Sequence, residues 1–304
     1  MTMPNFVIIG TAKAGTDALC GYLGQHPQLY VTPTKEPNFF IAEGQAEIPF
    51  RGPGDRDVLR RLDMWVSTRE RYESLFANAN GATAIGEAST WYLYDERAPG
   101  QIRHHIPDAK LIAVLRHPAE RAYSAFTMLQ RDGRETTADF MQALAAEERR
   151  IRAGWEPMWH YRRMGFYQAQ LARYLSVFRR DQIRIVLHED LSERPAETVR
   201  GLFKFLEVDD RFEPDVTGRL NVSLVPVNGT YHRLVVGASA LKTVARTLLP
   251  ARVRERVRGR LPASTLVKPK PMPEEARAML VDGFRDDVLG LQVTLDRDLS
   301  GWLR

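Results

Sequence analysis

One cysteine in 304 residues, Cys20, leaves no partner for an intrachain disulfide and no thiolate set for a metal. No apolar run approaches the ~20 residues that a membrane-spanning helix needs. Met1 to Pro4 runs straight into a strand-like segment, so neither a signal peptide nor an anchor is expected, and the chain reads as cytoplasmic. No cluster of His, Cys, Asp and Glu stands out as a metal site, and no internal repeat is visible. Disulfide scaffolds, zinc modules, repeat arrays and helical membrane proteins are thereby set aside. What is present is ordinary for a globular protein: 44% hydrophobic and 27% charged residues, enough chain to bury a full core. The net charge of +5 suits an anionic ligand, or else reflects one basic surface segment.

The stretch with most information is Phe6 to Leu19, F-V-I-I-G-T-A-K-A-G-T-D-A-L. Phe6 to Ile9 is an unbroken apolar run, as in a strand buried on both faces. Gly10 and Gly15 bracket a small-residue loop, and Thr16 onward reads as a helix, to about Gln25 before His26-Pro27. Strand, loop and helix N-terminus together make an anion site, because loop amides turn inward and the helix dipole points at the ligand. The usual phosphate-loop pattern, G-x-x-x-x-G-K-S/T, is not met: Lys13 precedes the second glycine and Thr16 takes the lysine's place. The loop therefore reads as a phosphate-type loop adapted to another anion.

Two further segments carry chemistry. In Val31 to Phe40, Pro33 and Pro37 flank Lys35-Glu36, and Phe39-Phe40 are expected to plug the loop into the core. Glu36 is then either a carboxylate held rigidly as a general base or half of a surface Lys-Glu pair. Lys110 to Leu115 is the clearest strand, ending at Arg116 with His117-Pro118 forcing a turn before a helix from Ala119 on which Arg121 and Ser124 share a face. Ligands of open α/β sheets sit beyond the carboxyl ends of strands, so Arg116 is expected beside Lys13. With Ser124 it can clamp a phosphate; alternatively it caps carbonyls at the sheet edge.

The remaining pattern alternates strands (Ala84 to Ala88, Ile183 to Leu187) with helices (Ala138 to Arg152, Gln168 to Phe178, Ala196 to Leu206). The aromatic stretch Trp155 to Tyr161 reads as core or as acceptor pocket. The expectation is an α/β fold: a P-loop-like parallel sheet flanked by helices, with a basic C-terminal segment and a terminal helix from about Glu274 to Trp302. One domain is expected over residues 1–304, with 42–57 a mobile loop and 237–273 a basic lid-like segment. Lys242 to Arg260 holds seven Lys/Arg against Glu255 alone, and four prolines frame Lys268 and Lys270. That strip is a solvated face, an anion-contacting lid, or a weak contact with a membrane surface.

Three of these motifs coincide with one family. The chain resembles sulfotransferases that use 3′-phosphoadenosine 5′-phosphosulfate (PAPS), closest to their bacterial and heparan-sulfate-type branch. Gly10 to Thr16 resembles the family's 5′-phosphosulfate loop, Lys35 to Phe40 its K-E-x-x-F-F segment, and Leu115 to Ser124 its 3′-phosphate site. The resemblance implies sulfuryl transfer to a hydroxyl or amine of a small-molecule, carbohydrate or glycolipid acceptor. Glu36 would be base and Lys13 would stabilise the leaving phosphate. Lys13, Ala14, Gly15, Thr16, Asp17, Ala18, Arg116, Ser124, Lys268 and Lys270 would bind PAPS, and neither metal nor nucleic acid is implied. Asp17 departs from the family's Thr or Ser and is expected to point away from the anion. Two rivals stay open: a divergent kinase, for which Glu189-Asp190 would hold Mg²⁺, and a non-catalytic anion or nucleic-acid binder. His104, His105 and His160 are the alternative bases.

Overall fold

The computed structural model describes residues 2–217, 225–226, 266–267 and 270–304. A five-stranded parallel sheet, order β2-β3-β1-β4-β5, is its centre: β1 Phe6–Gly10, β2 Leu29–Val31, β3 Ala84–Ala88, β4 Lys110–Leu115 and β5 Ile183–Leu187. Alternation along the strands divides the core in two. Val7, Ile9, Leu111, Ala113 and Leu115 pack on one face, and Phe6, Ile8, Ile112 and Val114 on the other. Both sides being covered by helices, the strands read as continuous apolar runs.

The second face is covered by α1 (Thr16–Leu23) and, near the chain's last third, the helix Pro195–Leu206. The first face is covered by the helices Ala98–His105, Pro118–Arg131, Tyr167–Leu175 and Glu274–Leu295. In chain order the α-helices are α2 Phe39–Ala42, α3 Asp55–Arg61, α4 Arg69–Ser74, α5 Ala98–His105, α6 Pro118–Arg131, α7 Phe140–Ala145, α8 Glu147–Arg152, α9 Tyr167–Leu175, α10 His188–Glu193, α11 Pro195–Leu206 and α12 Glu274–Leu295. Where β1 and β3 lie side by side, Gly86 is required: a Cβ there would stand 2.4 Å from the Phe6 ring.

Four local expectations change. The segment 42–57 is not loop throughout, because α3 begins at Asp55, whose buried carboxylate accepts from the amides of Gly52 (2.8 Å) and Glu156 (2.9 Å) and from Trp159 Nε1 (3.0 Å). The helix expected over Ala138 to Arg152 is two, broken at Ala146. Strand β2, three residues after a proline turn, is added to the expected set. The terminal helix stops at Leu295, with Asp296 left-handed at φ 50° and a short 3₁₀ turn at Ser300–Leu303. Among the described residues no helix is long and apolar enough to cross a membrane. Most of the basic strip, including Lys242 and Lys268, lies outside the described residues.

Candidate active site

Strand order reverses at β1, whose neighbours are β3 and β4, and the crevice at their carboxyl ends is where such folds bind ligands. A cleft of about 770 Å³ lies there. Lys13, Gly15, Thr16, Asp17 and Ala18 line it from the loop and first turn after β1. Glu36, Arg116 and Ser124 line it from three other segments. Of the residues expected to bind PAPS or act as base, the structure brings together Lys13, Gly15, Thr16, Asp17, Ala18, Glu36, Arg116 and Ser124, but not Ala14 or Lys270; Lys268 lies outside the described residues. Ala14 is fully buried, its amide turned to Thr11 O (3.2 Å). Lys270 is exposed and is not among the lining residues; its carbonyl accepts from Tyr123 Oη (2.8 Å), next to Ser124.

The loop is shaped for an anion. Gly15 adopts φ +100° as the N-cap of α1, and a Cβ there would crowd His188 Nδ1 at 3.1 Å. The first-turn amides of α1 have no intrahelical acceptor and face the cleft with the positive end of the dipole. Lys13, itself left-handed at φ 72°, rests its ammonium 3.4 Å from Met128 Sδ, a weak acceptor. Burial, and then the charge of Arg131, hold its pKa below the ordinary lysine value. Arg116 Nη1 donates to Lys13 O (3.3 Å), so the two cations are set by one another's segments. Asp17 is engaged by Lys35 Nζ at 2.8 Å, an exposed pair that offsets its charge near the anion site.

Glu36 lies in the left-handed region, φ 49°, with its amide on Ala88 O (3.1 Å) at the end of β3. Burial pushes its carboxyl up to about 7; the nearby Thr90 hydroxyl holds the rise in check, and Asp17 adds to it. Thr90 Oγ1 is itself buried and has no well-aligned partner. The segment that carries Glu36 hangs from a second carboxyl, Glu87 on β3. Ser89 Oγ (2.7 Å), Tyr92 Oη (2.7 Å) and Tyr72 Oη (3.2 Å) all donate to Glu87. In turn Ser89 Oγ accepts from the Asn38 amide (3.0 Å) and Tyr92 Oη from the Phe40 amide (3.3 Å). Burial outweighs the three donors and raises Glu87 to about 7. Phe39 and Phe40 are buried, as the loop reading expects, with Phe39 stacked on Tyr72 at 4.2 Å.

Several sequence candidates go elsewhere. Arg121 is fully buried and donates to Tyr161 O, away from the cleft. His105 pairs with Glu43 (2.7 Å), and His160 sits between Tyr94 Oη (2.9 Å) and Trp155 O (3.1 Å) with burial lowering its pKa to about 4. Neither lines the cleft, nor does His104. Glu189 accepts from Trp302 Nε1 (2.8 Å) and Asp190 pairs with Arg194 and Arg297, so the carboxylates a kinase reading needs are engaged by the terminal segment. Sequence reasoning missed Thr90 and His188, both lining the cleft. His188 directly follows β5 and Thr90 stands two residues past β3, so the strand-end rule that picked out Arg116 would have found both.

With this geometry in view, comparison with known proteins is specific. The model of the sulfotransferase family matches residues 4–214. A crystal structure of a sulfotransferase from Alicyclobacillus acidocaldarius is 34% identical and superposes with a TM-score of 0.78, covering 100% of both chains. Mouse bifunctional heparan sulfate N-deacetylase/N-sulfotransferase 4 is 25% identical over 316 residues, 99% of this chain and 31% of that protein. The Caenorhabditis briggsae N-deacetylase/N-sulfotransferase 1 is 26% identical over 242 residues, 78% of this chain and 26% of that protein. The chain thus spans about a third or less of the length of these curated relatives.

Proposed function

The chain belongs to the sulfotransferase family, and from that premise we propose that its cleft binds PAPS and passes the sulfuryl group in line to an acceptor hydroxyl or amine. One observation carries this: Lys13, Glu36, Arg116 and Ser124, from four separate segments, line a single cleft at the carboxyl ends of the strands. Lys13 and the first-turn amides of α1 take the 5′-phosphosulfate. Arg116 and Ser124 take the 3′-phosphate. The Glu36 carboxylate, with a pKa of about 7, accepts the acceptor's proton as its oxygen or nitrogen bonds to sulfur. The bond from sulfur to the phosphate oxygen breaks, and the charge left on that oxygen falls to Lys13 and the loop amides. Lys270 belongs to the same proposal as a closing contact over the nucleotide, supported by the Tyr123 anchor beside Ser124; Lys268 lies outside the described residues. A cytoplasmic setting and a small-molecule or glycoconjugate acceptor complete it.

The test is donor identity. The desulfated product, 3′-phosphoadenosine 5′-phosphate (PAP), should raise the Tm well above the effect of AMP or ATP at equal concentration, since only native-state binding stabilises. Labelled PAPS should give sulfated acceptor by mass spectrometry. Equal shifts from PAP and AMP would remove Arg116 and Ser124 from the 3′-phosphate.

A further inference from the structure

Beyond Glu36 the cleft changes character. The polar groups lining it from the loop after β1 and from the segments after β4 and β5 are Lys13, Arg116, Ser124, His188, Ser192 and Thr217. The apolar groups lining it from α3 and the chain around Met64, Trp91 and Met158 are Val58, Leu59, Leu62, Met64, Trp91 and Met158. Leu62 is 54% exposed at this wall, one of few large apolar side chains left open to solvent. The apolar wall is fastened to the base-bearing loop. The Asn38 side-chain amide donates both to Glu36 O (2.8 Å) and to Met64 O (3.0 Å), and the Val66 amide donates to Pro37 O (2.9 Å). Asp55, held by Arg134 and Trp159, fixes the start of α3, which presents Val58 and Leu59.

This side offers an anionic acceptor no unengaged cation among the described residues. Among the described residues lining it, Arg134 is the only cation, and its guanidinium is engaged by Asp55, Glu156 and Pro53 O. Glu156, whose carboxyl burial pushes up to about 8, is buried and engaged with Arg134. A sulfated or carboxylated glycan brought here would meet apolar carbon, with its own charges stripped of water and unpaired. An aryl or alkyl body would bury its surface on Leu62, Met64 and Met158 while its hydroxyl reached Glu36.

We propose, resting on the sulfuryl-transfer reading above, that the acceptor of this enzyme is an apolar alcohol or phenol rather than an anionic glycan. The flexible thioethers of Met64 and Met158 adapt that wall to more than one hydrocarbon shape.

The experiment pairs binding with turnover. Binding of 2-naphthol and 1-octanol to the PAP-loaded protein is measured by calorimetry. Sulfate transfer from PAPS to each, and to a heparan oligosaccharide, is measured by mass spectrometry. The expected result is kcat/KM for at least one apolar acceptor tenfold or more above that for the oligosaccharide. Leu62→Asp, at an exposed position that the fold tolerates, should lower that kcat/KM about tenfold with PAP affinity unchanged. A preference for the oligosaccharide would overturn the inference. So would PAP binding with no binding or transfer for either apolar compound, which leaves the donor assignment standing. Failure of PAP itself to bind would take down the donor assignment and this inference together.

Discussion

At the scale of single residues, Glu36 carries opposite demands of activity and stability. Its carboxyl, ordinarily at 4.5, is raised to about 7 by burial first. If Glu36 is the base, as proposed, transfer needs its ionised form and kcat/KM should rise with pH through a midpoint near 7. It should fall again at alkaline pH, below the usual lysine range, as buried Lys13 loses its proton. Glu36→Gln keeps the shape but takes no proton. Turnover should drop roughly 10²- to 10⁴-fold while PAP binding, read by calorimetry, stays nearly constant. The stability sign is the reverse. Below 4.5 the group is protonated folded or unfolded and contributes no pH dependence. Between 4.5 and about 7 the unfolded chain ionises first, so stability falls as pH rises and levels off above. Glu36→Gln should therefore stabilise by about 1–3 kcal/mol at pH 8, with most of that gain gone at pH 5. A lower Tm than the parent at pH 8 would mean that charge partners hold the carboxylate rather than burial opposing it.

At the scale of elements, the catalytic geometry depends on how the loop at 36–40 hangs from β3. Ser89 and Tyr92 link its amides to Glu87, and neither hydroxyl touches the cleft. Ser89→Ala leaves the Asn38 amide buried without its acceptor, a loss of about 1–2 kcal/mol. A small displacement of Glu36 should follow, costing roughly ten- to a hundredfold in kcat with PAP affinity unaltered. If kcat were untouched while Tm fell, the loop would have to be held by Phe39 and Phe40 alone. This suspension also marks the limit of what the sequence discloses. The runs at Phe6 to Ile9 and Lys110 to Leu115 announce buried parallel strands because both faces are covered, and strand ends then locate Lys13 and Arg116. Glu87 within A-I-G-E-A gives no sign of its role, which exists only once Tyr72 and Tyr92 are folded around it. The start of α3 was hidden the same way. Gly52, Pro53 and Gly54 read as loose chain, whereas Asp55 is clamped by Arg134 and Trp159, partners about 80 and 100 residues away. Arg121 shows the converse: helical spacing put it on the face of Ser124, yet it turns inward to the Tyr161 carbonyl.

At the scale of the whole molecule, the family match ends at residue 214, but the core does not. Helix α12 buries Leu280, Val281, Phe284, Val288 and Leu291 against the face already formed by α6 and α9. The fit is close: a Cβ on Gly165 would stand 2.6 Å from the Phe284 ring. Polar ties reinforce it, with Asp287 accepting from the Gln168 amide (3.1 Å) and Trp302 donating to Glu189 (2.8 Å) at the head of α10. Burying five such side chains contributes on the order of 10 kcal/mol, comparable with the whole 5–15 kcal/mol of a typical domain. The apolar face on α6 and α9 is therefore untenable without α12. A chain ended at Thr217 should lose its sigmoidal thermal transition by circular dichroism and bind a dye that reports exposed apolar surface. PAP should no longer shift its melting, although Lys13, Glu36, Arg116 and Ser124 are all present. The cooperative melt is the deciding reading, since the truncation also removes Lys268 and Lys270. A truncated chain that melted cooperatively, with a PAP-dependent Tm, would show instead that α12 is an addition to a domain already complete.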